Sequence, residues 1–205
     1  MQQTQSRVNI YALLSRVLLQ ELDLKTLDMI KNDDTILDFF PTLKEWKQLG
    51  EVEPQVLLDE YFNPDFVNLS ILHLIPYETF YTREDQMIET GGANPVTDMY
   101  SAYEFMVDFE LARTVSSDHI GIELEFMHHL ANAEMQALKD ENENAVKELR
   151  AVQHEFLNKH LLRWAPLYLI NMKYEARTPL YYDGAEMAME FLLSDNEYLT
   201  KEISA

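Results

Sequence analysis

The chain has no cysteine. That excludes a disulfide framework, a thiolate metal site and a cysteine nucleophile, and it fits a reducing compartment. Glycine is almost as scarce, with five residues among 205, and proline contributes seven. So few turn formers argue against a β-sandwich. The glycines stand at 50, 91, 92, 121 and 184 and complete neither GxxxxGK nor GxGxxG, so no phosphate-cradling loop is indicated. A GxSxG elbow and an HExxH helix are missing too. No stretch approaches the roughly 18 consecutive apolar residues of a membrane helix. The opening MQQTQSRVNIYALL lacks the basic segment and apolar run of a secretory signal. These absences predict a soluble cytoplasmic protein. Basic residues are also few: 16 Lys and Arg against 36 Asp and Glu give a net charge of −20, which argues against nucleic acid as a partner.

What the chain does have is apolar residues at helical spacing. Hydrophobic residues make up 47% of it, enough for one domain with a sizeable core. Stripes run through Ile10, Leu13, Leu14, Val17 and Leu18; through Val96, Met99, Tyr100, Tyr103 and Met106; and through Ile120, Leu124, Met127, Ala131 and Leu138. Two more follow at Leu157, Leu161, Trp164 and Tyr168 and at Tyr181, Ala185, Ala188 and Leu192. Weaker helices are expected over 24–31, 42–49 and 54–62. Strand alternation is sustained nowhere, so the fold class is all-α, and no linker divides residues 1–205 into separate domains. Pro41, Pro54 and Pro179 suit first helical turns, and Asn94-Pro95 reads as N-cap followed by N1. Pro166 is expected to break or kink its helix. Residues 141–145 read as a polar turn. Residues 73–93 hold three aromatics, a Gly-Gly pair and no clean period, and a loop of that length is often functional.

Acidic charge is concentrated. Residues 78–125 carry eleven acidic and two basic side chains, whereas 126–175 carry seven and six. The first stretch is either a solvated face or a surface for a basic partner. Asp118-His119 opens an apolar helical repeat. Asp is a favoured N-cap there, a role in which Asp118→Asn would be nearly silent, and His119, one turn before Glu123, reads as half-buried. Glu125 and His128 form an ExxH pair, the spacing used by di-iron helical bundles. A second ExxH is missing, because Glu155 and His160 have the wrong separation. A helical di-metal carboxylate enzyme is thus the minor alternative.

PYETFY at 76–81, the tyrosine-bearing helix after Pro95, DHIGIELEFMHHL at 118–130 and QHEFLNKHLLRW at 153–164 occur in that order before a final aromatic-rich helix. In this ordered set the chain resembles the TorD/DmsD/NarJ family of redox-enzyme maturation chaperones. The resemblance implies a single all-helical bundle of the TorD-like type that is not an enzyme and carries no cofactor. It implies a cytoplasmic chaperone that binds the N-terminal twin-arginine leader of a molybdopterin-containing oxidoreductase subunit, in its apo form, until the cofactor is inserted. A NarJ-like variant would serve a client that is not exported. By position it assigns Asp118, His119, Tyr77, Glu78, Tyr81 and Glu123 to leader binding, with no catalytic and no metal-binding residue. Relatives often have Pro where this chain has Ser116, and Gly where it has Glu110. The resemblance is compatible with a monomer or a domain-swapped dimer.

Overall fold

The 3.6-residue period governs the observed structure as it does the sequence. The computed structural model describes residues 1–204, and among them every regular element is helical. The one β feature is an isolated antiparallel bridge between Tyr77 and His119. The all-α expectation therefore holds. No described helix is long and apolar enough to cross a membrane. Pro41, Pro54 and Pro179 each start a helix, as their fixed φ and missing N–H dictate. Other expectations fail locally. The weak 42–49 stripe divides into Pro41–Glu45 and Lys47–Glu51, with Trp46 extended between them. The helix expected over 96–106 is only Thr97–Ala102, and its N-cap is Val96, not Asn94. Pro166 does not break its helix: Leu162–Glu175 runs through it, directly after a π-helical turn at Leu157–Leu161.

The described residues cluster in two compact units. One consists of Met1–Leu19, Tyr77–Ala165 and 191–204. Its centre is the packing of Gln2–Leu19 on Ile120–Lys139. The two helices come close at Gly121, where an added Cβ would lie 2.6 Å from Leu19 Cβ and 2.7 Å from Leu19 Cα. The Ser15 hydroxyl donates to the Gly121 carbonyl at 2.9 Å across the same contact. Further along, the buried Arg7 guanidinium donates to Asp195 at 2.5 Å, Glu134 at 2.7 Å and Gln153 at 2.5 Å. The Tyr11 hydroxyl donates to Asp195 at 2.6 Å. Four helices thus share one buried, hydrogen-bonded ion cluster, and satisfying every member is the condition on which such a cluster is tolerable.

The other unit consists of Gln20–Pro76 and Pro166–Glu190. Here buried carboxylates bind backbone N–H groups. Asp65 accepts from Thr178 N and Oγ1, both at 2.7 Å, and from Arg177 N at 3.0 Å, so it closes the turn that leads into Pro179–Ser204. Asp183 accepts from Leu43 N at 2.8 Å. Asn63 pairs both ends of its amide with the Leu22 backbone, at 2.9 and 3.1 Å. Residues 54–73 alternate α with π segments, Leu57–Phe62 and Asn68–His73. The expected helix at 54–62 is therefore the start of a longer, locally widened one.

Glycine scarcity has a structural counterpart. Non-glycine residues with positive φ are Gln86, Glu104, Arg113 and Glu141, and no described glycine is among such residues. Two of them end helices in the same way. After Thr97–Ala102, Phe105 N donates to Tyr100 O at 2.9 Å and Glu104 N to Ser101 O at 3.3 Å. After Ile120–Lys139, Asn142 N donates to Ala137 O at 2.9 Å and Glu141 N to Leu138 O at 3.4 Å. Both are Schellman closures with glutamate at the left-handed position that glycine usually fills. The polar turn expected at 141–145 is met only at its start by the second of them, since Glu143–Phe156 is already helical.

Two substitutions test this placement of glycine. Gly121→Ala is expected to cost about 1–3 kcal/mol, because the helix backbones must separate. Glu141→Gly, which relieves the left-handed strain, is expected to be neutral or to stabilise by up to about 1 kcal/mol. Urea midpoints of the two variants should move in opposite directions from the parent or, for Glu141→Gly, not fall.

Candidate functional site

The six residues assigned by resemblance converge in the first unit. Tyr77 and His119 form the β-bridge and their rings meet edge to face at 5.1 Å. Glu78 N donates to the Asp118 carbonyl at 3.0 Å. The Glu78 carboxylate meets His160 Nδ1 at 2.9 Å. Glu123 accepts from Trp164 Nε1 at 3.2 Å, and Trp164 stacks on Tyr81 at 5.4 Å. Five of the six are buried; Asp118 is 0% and His119 3% exposed. Tyr81 alone is half-buried. These residues thus form an interior cluster with one aromatic at the surface.

Asp118 is its hub. Oδ2 accepts from Thr79 N at 2.7 Å and Thr79 Oγ1 at 2.6 Å. Oδ1 faces Asn94 Nδ2 at 2.9 Å and the Ser116 hydroxyl. The Asn94 amide, with two hydrogens, also lies 2.8 Å from Ser116 Oγ and 3.0 Å from the Glu89 carbonyl. Thr79 Oγ1 accepts in turn from Glu89 N at 3.0 Å. One carboxylate therefore holds 77–79, 89–94 and 116–118 together. The capping role expected for Asp118 belongs to its neighbour. His119 is the N-cap of Ile120–Lys139, and its Nδ1 accepts from Gly121 N at 3.1 Å. That bond leaves the ring proton on Nε2. His119 is buried rather than half-buried.

Thr79, Asn94, Ser116, His160 and Trp164 belong to the cluster, although sequence reasoning gave none of them a site role. Asn94 looked like a cap because Asn before Pro usually is one. Ser116, at the position where relatives often have Pro, supplies a hydroxyl that proline lacks. It stands between Asp118 and the Glu89 carbonyl, 2.6 Å from the latter. Glu110 lies exposed in the short helix Phe109–Ala112, and the left-handed turns on either side fall at Glu104 and Arg113. The π turn at Leu157–Leu161 accounts for His160 and Trp164. An α-helix advances about 100° per residue, so residues four apart drift by about 40°. Widening one turn offsets part of that drift, and Phe156, His160 and Trp164 all remain buried.

Burial pushes the His119 imidazole down to about 3, against the opposing charge of Asp118. Burial pushes the Glu123 carboxyl well above the usual carboxylate range; the charges of Glu78 and Asp118 act in the same sense and the Trp164 N–H against it. Burial also raises the Tyr81 hydroxyl to about 12, so it is a neutral donor at physiological pH. The di-metal alternative has no matching geometry. Glu125 is exposed, and His128 Nδ1 lies 3.0 Å from the Val8 carbonyl. Among the described residues no three His, Asp or Glu groups converge as metal ligands.

The profile of the family described as nitrate reductase delta subunit matches residues 32–169, about two thirds of the chain, which includes every member of the cluster. Three curated proteins named chaperone protein TorD are similar to it. The one from Aliivibrio salmonicida is 25% identical over 80% of each chain. The one from Vibrio cholerae is 28% identical over 63% of this chain and 56% of its own. The one from Vibrio atlanticus is 24% identical over 62% of this chain and 57% of its own. The chain thus spans little more than half the length of some of the relatives it matches.

Two measurements probe the cluster. Asp118→Asn replaces an acceptor by a second NH2 group among existing donors, so it is expected to cost about 2 kcal/mol in urea unfolding. A simple cap would show almost no change. The second concerns pH. Unfolded histidine titrates near 6.5, the folded His119 near 3, so the unfolded state alone takes up the proton between them. Stability contributed by the neutral imidazole is present above about pH 6.5 and falls as pH drops, by up to about 1.4 kcal/mol per unit. Glu123 acts with the opposite sign, since its raised folded value favours the folded state at low pH. His119→Asn keeps an N-cap and removes the histidine contribution. The gap between parent and variant should shrink from pH 7.5 to pH 5.

Proposed function

The chain belongs to the nitrate reductase delta subunit family, and from that premise we propose that it is a redox-enzyme maturation chaperone. Its client is the apo form of a molybdopterin-containing oxidoreductase subunit. It binds the N-terminal twin-arginine leader of that subunit in the cytoplasm and holds it until the cofactor is inserted. The observation that carries this reading is the Asp118 hub, which fixes the 77–82 segment while leaving Tyr81 half-exposed on Trp164. Tyr81 offers an aromatic face and a neutral hydroxyl to a peptide. Tyr77, Glu78, Asp118, His119 and Glu123 contribute to recognition by holding that face in place.

Charge supports the same partner. Of the eleven acidic residues in 78–125, Glu78, Asp118 and Glu123 are interior and therefore serve the cluster. Asp85 and Glu89 pair with Arg83, and the remaining six, Glu84, Asp98, Glu104, Asp108, Glu110 and Glu125, are exposed and attract a basic segment. A second reading is a NarJ-like chaperone whose client is not exported.

Titration calorimetry with synthetic leader peptides tests the proposal. A twin-arginine peptide is expected to bind, and to bind several-fold more weakly at high salt, because surface charges act over a Debye length of ~8 Å at physiological ionic strength. Tyr81→Ala should weaken binding roughly tenfold, the value of one buried aromatic contact. Equal affinity for a peptide with Arg-Arg changed to Gln-Gln would favour the client that is not exported. No binding to any such leader would overturn the proposal.

A further inference from the structure

Residues 104–115, EFMVDFELARTV, display what a folded chain normally hides. Met106 is 89% exposed, Leu111 71%, Val115 60% and Phe109 45%. Four large apolar side chains exposed within ten residues exceed the single scattered exposures that need no explanation. The segment is held at both ends. Phe105 closes the Schellman turn and packs its ring on Tyr100 at 4.9 Å and Phe126 at 5.3 Å. Val115 N donates to the Tyr77 hydroxyl at 3.3 Å, so the far end is tied to the candidate site. Ala112 turns inward and is buried. The outward side chains are thus fixed outward by a backbone whose anchors lie elsewhere.

Charge identifies the occupant. Glu104, Asp108 and Glu110 are exposed and alternate with the apolar residues, against a single basic residue, Arg113. A second copy of this chain would bring the same acidic residues against themselves in a molecule of net charge −20, so self-association is disfavoured. A segment that combines cationic residues with an apolar run satisfies both features. We infer that residues 104–115 form the docking strip for the apolar run of the client leader, with Glu104, Asp108 and Glu110 facing its cations. This rests on the leader-binding reading above and moves the main apolar contact away from the buried cluster. The cluster then sets the position of the strip through the Tyr77 hydroxyl.

The test uses the full chain and a fluorescent twenty-residue peptide with an Arg-Arg pair followed by a Leu/Ala run. Met106→Ser with Leu111→Ser should weaken binding roughly tenfold or more at every salt concentration, given the loss of two apolar contacts. Glu104→Gln with Glu110→Gln should weaken it several-fold at low salt and flatten the salt dependence. Leu193→Ser, an exposed apolar position outside residues 104–115, should bind as the parent does. All of these positions are exposed, so thermal midpoints should be close to the parent's, and peptide should protect the amides of 104–115 from hydrogen exchange. If both double variants bind normally while Tyr81→Ala does not, the strip is wrong and the leader reading stands. If the parent binds no such peptide, both fall. Peptide-free dimers that are lost in Met106→Ser with Leu111→Ser would show the strip to be a self-association face and would also overturn the inference.

Discussion

The Asp118 carboxylate has no cation beside it. It is fully buried and stabilised by N–H and O–H donors alone, from Thr79, Asn94 and Ser116. A buried carboxylate costs several kcal/mol unless it is well hydrogen-bonded, so each donor constrains where its own segment can lie. Residues 73–93, expected as a loop, hold one short helix, Glu78–Thr82, and this one carboxylate binds its first-turn N–H at Thr79 and so fixes a segment that has no long apolar stripe to hold it. The bridge between Tyr77 and His119, the ring contact on top of it and the cap on Ile120–Lys139 all follow from holding 77–79 against 116–119. The cluster is polar because a loop brought into the interior brings its backbone N–H groups with it, and those need acceptors.

The helices were legible in the sequence for the reason that they form: residues such as Ile120, Leu124, Met127 and Ala131 share one face and are buried together. Asp118, His119, Tyr77, Glu78, Tyr81 and Glu123 were legible as a set only through resemblance, and they do meet. Their partners were not legible. Asn94 and Asp118 both looked like caps, because the residues that satisfy helix N–H groups are also those that satisfy any other buried donor or acceptor. Which donor each one meets depends on contacts across 22 to 39 positions of chain, which local patterns do not encode. Glu104 and Glu141 were invisible as left-handed turns because glutamate carries no signal for that conformation. Pro166 was expected to break or kink its helix, but Leu162–Glu175 continues through it, directly after the π turn at Leu157–Leu161.

The charge of this chain has two separate uses. Arg7 and Arg150 together balance Asp195 and Glu134, and Glu78, Asp118 and Glu123 are spent in the cluster. What remains outside on 78–125 is mostly acid, with Arg83 bound to Asp85 and Glu89 at 2.7 Å each and Arg113 the other basic residue. A count of acidic residues therefore overstates the surface field by the interior members, yet understates how one-sided that surface is.

Arg7 and Asp195 are separated by 188 positions of chain. On a ribosome adding about 5–20 residues per second, the guanidinium emerges on the order of 10–40 seconds before its carboxylate partner. During that interval Arg7 lacks its Asp195 partner and can pair only with Glu134, 127 positions along the chain. The first unit, made from the beginning, the middle and the 191–204 stretch of the chain, cannot close until that last helix has left the exit tunnel. Gln2–Leu19 thus spends much of the synthesis of the chain without its late partner at residue 195. The yield of the chain in the cell should depend on how quickly translation delivers residue 195.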